Sequence, residues 1–118
     1  MRYTVYGQPP SKANTYRIVT ISGHGSLAKT PALKAYERAF YLQCGCRNQD
    51  ITGFCELYVD VYFKSNQPDL DNSLKVILDC LQAAKVIRND RQVVKIVAEK
   101  KVDKVNPRIE FEIREVGI

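Results

Sequence analysis

The stretch that decides the fold is residues 67–75, which read QPDLDNSLK. It lies between a strand-like run at residues 54–64 and a helix-like run that continues to about Lys85. Apolar and polar residues alternate in the first run, which is typical of a half-buried strand. Asp71 or Asn72 is expected to cap the helix, because short polar side chains accept hydrogen bonds from the first N–H groups of a helix. The centre of the chain is therefore predicted to be a strand, an acidic turn and a helix.

Hydrophobic periodicity predicts further elements on either side of this centre. They are a strand at residues 2–6, a helix from Thr30 to about Arg47, a strand at 93–102 and a strand at 108–116. The turn at Asn106-Pro107 favours pairing of the last two strands as a hairpin. Residues 7–30 are predicted to be a long glycine-containing loop with a short strand at 16–22. We therefore expect one α+β domain over residues 1–118, with a mixed or antiparallel sheet of about four strands and two helices packed on one face.

The composition is that of an ordinary globular domain. The chain has 118 residues, of which 45% are hydrophobic and 26% are charged, and this length is sufficient to bury a core. No apolar run approaches the roughly 20 residues that cross a bilayer, and the N-terminus lacks the apolar segment of a signal peptide. We expect a cytoplasmic protein that does not associate with a membrane.

The four cysteines do not form a recognisable metal or disulfide motif. Cys44 and Cys46 are spaced C-x-C and no second pair follows, whereas Cys55 and Cys80 stand alone. The single histidine, His24, lies far away among glycines and is expected to be a loop residue rather than a catalytic base. Reduced structural thiols in a cytosolic domain are therefore predicted.

Positive charge is concentrated in the first part of the chain. The net charge is +5, and residues 1–50 contain seven Lys or Arg against two Asp or Glu, whereas residues 51–118 contain eleven of each. A basic segment beside a carboxylate cluster suits an enzyme that binds polyanionic nucleic acid, and the alternative is a merely soluble basic surface. The candidate DNA contacts in the basic loop are Lys12, Asn14, Arg17 and Lys29.

Asp69 and Asp71 are candidate metal ligands. Residues two positions apart on an extended segment point to the same side, so both carboxylates would face one surface while Leu70 turns to the core. Two adjacent carboxylates repel each other, and a hard divalent cation such as Mg²⁺ relieves the repulsion. Asp90 can join them only if the strand at 93–102 returns along the sheet. The alternative is that the acids only cap the helix, whose N-terminus favours negative charge.

Lys75 lies on the same helix face as Asp71, four residues later. A cation is disfavoured in the first turn of a helix, so its presence there indicates a function. Lys75 would contact the scissile phosphate or stabilise the charge that develops in the transition state. The alternative is an ion pair with Asp79, four residues further on, and both roles are compatible.

The sequence resembles the RusA family of Holliday-junction resolvases over nearly its whole length. The matching blocks are Pro9-Pro10-Ser11, Asn14, Tyr16-Arg17, Ala35-Tyr36-Glu37-Arg38, Pro68-Asp69-Leu70-Asp71-Asn72 with Lys75, and Asn89-Asp90-Arg91-Gln92-Val93-Val94. The block at 68–72, with its lysine and its distal aspartate, is the specific part. The chain departs from some members at Asn89, where they carry an acid, and this lowers the local negative charge.

The resemblance implies a metal-dependent DNA endonuclease of bacteria, phages or prophages. Such enzymes act as homodimers in DNA recombination and repair, where they bind a four-way junction and nick two strands of like polarity symmetrically. The residues carried over by position are Asp69, Asp71 and Asp90 as catalytic, metal-binding acids, Lys75 as the catalytic or phosphate-contacting base-type residue, and Asn72 in a supporting or capping role. The implied cofactor is Mg²⁺, and Mn²⁺ is possible.

Two other functions are compatible with the sequence. One is a catalytically silent nucleic-acid-binding protein, although acids beside a DNA-binding face repel phosphate. The other is a small metal-dependent phosphohydrolase that acts on nucleotides, although the basic excess favours a polymeric substrate because phosphate contacts add along a chain.

Tyr58 and Tyr62 lie on the outward phase of their strand. At these positions they would line a dimer interface, stack on DNA bases or be partly buried against a helix, because an aromatic ring suits each of these environments.

Overall fold

The computed structural model describes residues 1–11 and 14–117, without the side chain of Ile21. Its elements are β1 (Tyr3–Tyr6), β2 (Tyr16–Ile21), β3 (His24–Lys29), α1 (Pro31–Gln43), β4 (Cys55–Phe63), α2 (Leu70–Ala83), a 3₁₀ turn (Asp90–Gln92), β5 (Val93–Val102) and β6 (Arg108–Glu115). The expected α+β domain, with two helices and a mixed four-stranded sheet, is confirmed across this part of the chain. A second sheet, formed by β2 and β3, was not predicted.

The four-stranded sheet has the order β1-β6-β4-β5. β4 runs parallel to β5, with Cys55 opposite Val93 and Phe63 opposite Val102, and antiparallel to β6. The predicted hairpin between β5 and β6 is therefore wrong, because β4 lies between them. The reason is that α2 carries the chain back along β4, which makes β5 a parallel neighbour. The loop after β5 then crosses the end of β4, where the Asp103 backbone N–H donates to the Phe63 carbonyl at 2.8 Å.

The segment expected to be an irregular loop contains a hairpin. β2 and β3 pair antiparallel from Tyr16 opposite Lys29 to Ile21 opposite His24. Ser22 and Gly23 form the tip, and both have positive φ, at 52° and 81°, as a two-residue hairpin turn requires. His24, expected in a loop, is the exposed first residue of β3.

The core lies between one face of the sheet and the two helices. Alternate residues of β4 are buried on this face: Cys55, Leu57, Val59, Val61 and Phe63. The alternation in the sequence predicted the last four. At its centre, the Phe40 ring of α1 stacks on Phe111 of β6 with centroids 5.8 Å apart. Burying one such ring contributes about 1.5–3 kcal/mol, so this face fixes the positions of both helices.

The helices differ in detail from their predicted limits and faces. Thr30 caps α1 as expected, since its Oγ1 accepts from the Leu33 N–H at 3.2 Å. The helix ends at Gln43 rather than Arg47, because Cys44 turns to an extended conformation and enters the core. On α2, Leu74 and Leu78 are only partly buried, whereas Val76 and Cys80 are buried.

All four cysteines are free and buried, which confirms the predicted reduced structural thiols. Cys44 Sγ lies 3.5 Å from Cys46 Sγ. No helix in the described part of the chain is long and apolar enough to cross a bilayer.

The outer face of the sheet carries the two tyrosines of β4. Tyr58 and Tyr62 are half-buried there, beneath arginines of β6 rather than against a helix. The Arg108 guanidinium lies 3.8 Å from the centroid of the Tyr62 ring, and that of Arg114 lies 4.5 Å from the centroid of the Tyr58 ring. These contacts are cation–π pairs.

Candidate active site

The N-terminal end of α2 carries the first two candidate acids. The helix begins at Leu70, so Asp69 is the capping residue and the prediction of Asp71 or Asn72 as the cap is wrong. Asp71 lies within the first turn, not on an extended segment. The helix starts earlier than expected because Leu70 packs against the core. The two acids still share one turn, and both are exposed.

The Asp69 side chain makes no capping hydrogen bond to the helix. Its Oδ2 instead accepts from Asn72 Nδ2 at 3.4 Å, while Asp71 Oδ1 accepts from the Asn72 backbone N–H at 3.0 Å. Asn72 therefore contacts both acids. Because four N–H groups at a helix start lack partners within the helix, this end of α2 favours negative charge.

Lys75 is held between two carboxylates. Its Nζ lies 3.0 Å from Asp79 Oδ1 and 3.4 Å from Asp90 Oδ2. Its pKa is raised above the ordinary 10.5, first by the hydrogen bond and charge of Asp79 and then by Asp90. The lysine is thus a cation at neutral pH in the free protein. The ion pair with Asp79 is confirmed, and Lys75 still exposes 68% of its side chain.

Asp90 reaches the α2 surface from the turn that precedes β5. Its backbone N–H donates to Gln82 Oε1 at 3.3 Å, and its carboxylate contacts Lys75. Asn89 caps the 3₁₀ turn by accepting from the Arg91 N–H at 2.9 Å. The residue at which the chain departs from some RusA proteins therefore helps to shape the turn that presents Asp90.

Gln92 anchors this turn to the rest of the domain through four hydrogen bonds. Its Oε1 accepts from the backbone N–H groups of Arg88 and Asn89 at 2.7 and 2.8 Å. Its Nε2 donates to the carbonyls of Ile51 and Gly53 at 2.7 and 2.8 Å. One side chain thus joins the start of β5 to the loop before β4.

We expect Gln92→Ala to lower the free energy of unfolding by about 2 kcal/mol, because each lost hydrogen bond contributes about 0.5–1.5 kcal/mol net. Urea unfolding would measure it. Gln49→Ala, at an exposed position, is the control and should change stability by less than about 0.5 kcal/mol. Equal stability of the two variants would show that Gln92 does not anchor the turn.

The carboxylates of the three candidate acids are not gathered at one place in the structure. Asp69 caps α2 and Asp71 lies in its first turn, whereas Asp90 contacts α2 through Lys75 and Gln82, further along the helix. Over residues 1–11 and 14–117, no group of three or more His, Cys, Asp or Glu is arranged to hold a metal ion. Assignment of all three acids as metal ligands therefore stays a prediction.

The pair of acids at the helix start nevertheless suits magnesium. Mg²⁺ prefers carboxylate oxygens and is commonly bound by one or two carboxylates, with water and substrate phosphate completing the shell. Asp69 and Asp71 are exposed and close in sequence, so they supply this type of donor. The donor chemistry thus fits Mg²⁺ at this end of α2.

Two clefts border the acids. A cavity of about 640 Å³ lies between Asp69 and the Pro9-Pro10-Ser11 segment. A cavity of about 280 Å³ places Asp71 and Lys75 opposite Tyr16 of the β2–β3 hairpin. Motif blocks that are distant in sequence therefore surround the same end of α2.

The candidate DNA contacts are less closely grouped. Lys12 lies outside the described residues. Asn14 is exposed, and its carbonyl accepts from Thr30 Oγ1 at 2.7 Å. Arg17 is exposed on β2. Lys29 lines a cavity beside Lys75 and pairs with Glu37 at 2.9 Å. Their contact with DNA stays a prediction.

Sequence reasoning missed Gln8 and Gln82. Gln8 Oε1 accepts from the Lys64 backbone N–H at 2.8 Å, which ties the segment before Pro9 to the turn that leads to Asp69. Gln82 holds Asp90. No periodicity or spacing singles out either glutamine, because each acts on backbone outside its own element.

The family model for endodeoxyribonuclease RusA matches residues 7–114. The chain belongs to the RusA family. The match includes the Pro9-Pro10-Ser11 segment and all four candidate catalytic residues, so the residues around the start of α2 are those of a RusA domain. Membership indicates an endodeoxyribonuclease that resolves Holliday junctions and binds branched DNA. No curated protein matches the chain.

Proposed function

We propose that this RusA protein resolves four-way DNA junctions as a homodimer, by paired symmetric nicks that require Mg²⁺, with Mn²⁺ as a possible substitute. The observation that carries the proposal is the arrangement at the start of α2. Asp69 and Asp71 lie there on the helix end that favours anions, and Lys75 is a cation one turn away.

The proposed chemistry follows from the charges of these side chains. Mg²⁺ bound by Asp69 and Asp71 would supply Lewis-acid activation of the phosphodiester and of the attacking water. Asn72 holds Asp69 through its amide. Lys75 faces the same cleft and would pair with a non-bridging oxygen of the phosphate as negative charge develops there.

Lys75 and Asp90 are proposed to act together. In the free protein the Lys75 ammonium lies between Asp79 and Asp90, which fixes the end of a side chain that has many rotamers. A phosphate entering the cleft would then meet a cation that is already positioned. Asp79 is a positioning residue in this proposal, because it contacts Lys75 rather than the DNA.

The β2–β3 hairpin is proposed to contact the DNA backbone beyond the cleft. It borders the cavities beside Lys75 through Tyr16 and Lys29, and Arg17 is exposed on it. Cationic side chains that follow the phosphates add affinity that weakens with salt. The hairpin therefore supports a polymeric substrate rather than a free nucleotide.

One observation favours a catalytically silent DNA-binding protein as the second candidate. Asp90 pairs with Lys75 instead of joining Asp69 and Asp71, and the described residues hold no three-acid group for a metal. A chain that binds junctions without cutting them would have this arrangement as its resting state.

Cleavage of a labelled synthetic four-way junction with Mg²⁺ tests the proposal, with linear duplex of the same sequence as the control. We expect two symmetric nicks near the crossover, no cleavage of the duplex, and no cleavage when the metal is chelated. Junction binding without nicks in Mg²⁺ or Mn²⁺ would favour the silent binder. Equal cutting of the duplex would show that the protein is a nuclease without selectivity for junctions.

A further inference from the structure

β5 forms an open edge of the four-stranded sheet. It pairs with β4 on one side, and no strand of the described chain pairs with its other side. It is ten residues long, longer than a typical edge strand. Its backbone N–H and C=O groups on the open side are free to pair with a further strand.

Large apolar side chains are exposed along this edge. β4 alternates strictly between buried and half-buried residues, but β5 does not: Val94, Ile96 and Val97 are 55%, 40% and 41% exposed. Ile96 lies beside Leu57 and therefore on the helical face, whereas Val97 lies on the outer face beside Tyr58. The edge is thus apolar on both faces at its centre.

Natural proteins commonly protect such an edge with proline or with lysines that project from it. β5 contains no proline. Two of its lysines are held within the chain, since Lys100 Nζ donates to the Asn66 carbonyl at 2.7 Å and Lys101 Nζ lies 3.4 Å from Asp60 Oδ2. The exposed charges near the centre of β5 are Lys95 and Glu99, and Glu99 Oε2 also lies 4.0 Å from Lys101 Nζ.

These two charges make β5 complementary to itself. If two copies pair antiparallel about a twofold axis at Val97, Lys95 of each lies opposite Glu99 of the other, and Ile96 lies opposite Ala98. Opposite charges at facing positions stabilise a strand pair. An axis at Ala98 would instead place Lys95 opposite Lys101, and an axis at Ile96 would place Lys95 opposite Val97. If the register between the two copies shifted by a single residue, the outer face of one sheet would continue into the helical face of the other.

We propose that a second copy of this chain pairs with β5 in this register, joining two sheets into one of eight strands. This interface rests on the homodimer of the proposed function and specifies where that dimer forms. It is isologous, as a twofold dimer requires. The twofold axis also relates the two α2 helices symmetrically, as paired nicks in strands of like polarity demand.

Charge reversal tests the register. Lys95→Glu and Glu99→Lys should each raise the dimer dissociation constant by about tenfold or more, because each creates two like-charge pairs. The double variant should return it close to the wild-type value. Residues four apart on one strand do not touch each other, so a structural effect within one chain would not produce this rescue. Sedimentation equilibrium measures the constant, and Lys104→Glu, exposed beyond β5, is the control.

Cross-linking gives an independent measurement. Val97→Cys should form a disulfide-linked dimer on mild oxidation, because opposite Cα atoms of an antiparallel pair are about 4.5–5.5 Å apart. Val105→Cys, exposed in the loop after β5, should not. Circular dichroism confirms that each variant folds.

Two results would overturn this interface: a wild-type chain that stays monomeric, or a dimer whose dissociation constant neither single reversal changes. Both assays contain neither DNA nor metal. A failure here therefore leaves cleavage to be decided by the junction assay, and an inactive enzyme can still dimerise through β5.

Discussion

Replacing Asp71 by asparagine is expected to lower junction cleavage by about 10²–10³-fold, because it removes one of the two carboxylates proposed to hold the metal ion that activates the phosphate. The substitution keeps the volume of the side chain and removes its negative charge. Asp71 lies in the first turn of α2 with Asp69, so its loss would leave one carboxylate for the metal at this end of the helix. Junction affinity should stay near the wild-type value or rise, because an acid that repels phosphate is gone.

Single-turnover cleavage and junction binding in Ca²⁺ would separate the two effects. Glu115→Gln is the matched control, since it removes an exposed carboxylate at the end of β6 and should cut normally. Mg²⁺ titration followed by calorimetry adds a readout that needs no DNA, and Asp71→Asn should bind the ion more weakly. Wild-type cleavage by Asp71→Asn would show that Asp71 only stabilises the start of the helix.

This prediction depends on positions that the sequence specified well. The alternation over residues 54–64 predicted β4 and its buried face, and the helix that follows the acids was predicted almost to its end. Local sequence patterns predict these two elements because the side-chain repeat of a strand or a helix determines which of its residues face the core. The error lay at the helix start: Leu70 packs on the core, and the helix begins two or three residues earlier than predicted.

Local sequence patterns did not predict which strands are neighbours in the sheet. A short turn at Asn106-Pro107 predicted that β5 and β6 are neighbours, but β4 separates them. The helix between β4 and β5 carries the better signal, because a helical connection commonly joins parallel strands. Asp90 reaches Lys75 only through this parallel pairing.

The support of the site was also beyond local sequence patterns. Gln92 holds the turn of Asp90 against the loop before β4 by bonds across about 40 residues of chain. Such contacts depend on which backbone groups the fold leaves without partners. Only the folded chain shows that one glutamine meets four of them.

Lys75→Met is expected to reduce junction cleavage by about 10²-fold, because it removes a cation that faces the phosphate. The methionine keeps much of the side-chain length and the helix propensity. Lys75→Arg should retain far more activity, since a guanidinium also remains charged and pairs with phosphate. The ratio of the two rates, measured in single turnover, separates the charge from the shape of the side chain.

The pH dependence distinguishes a cation from a base. Folding raises the pKa of Lys75 above 10.5 through Asp79 and then Asp90, so the folded state favours the protonated amine. Its contribution to stability is fully present below pH 10.5 and is lost as the pH rises through the higher folded pKa. Between pH 6 and about 9.5, cleavage should therefore show no change from the titration of Lys75. A rise in rate over this range that disappears in Lys75→Arg would instead identify Lys75 as the base. Wild-type activity of Lys75→Met would show that Lys75 has no role in cleavage and only forms ion pairs on the surface of α2.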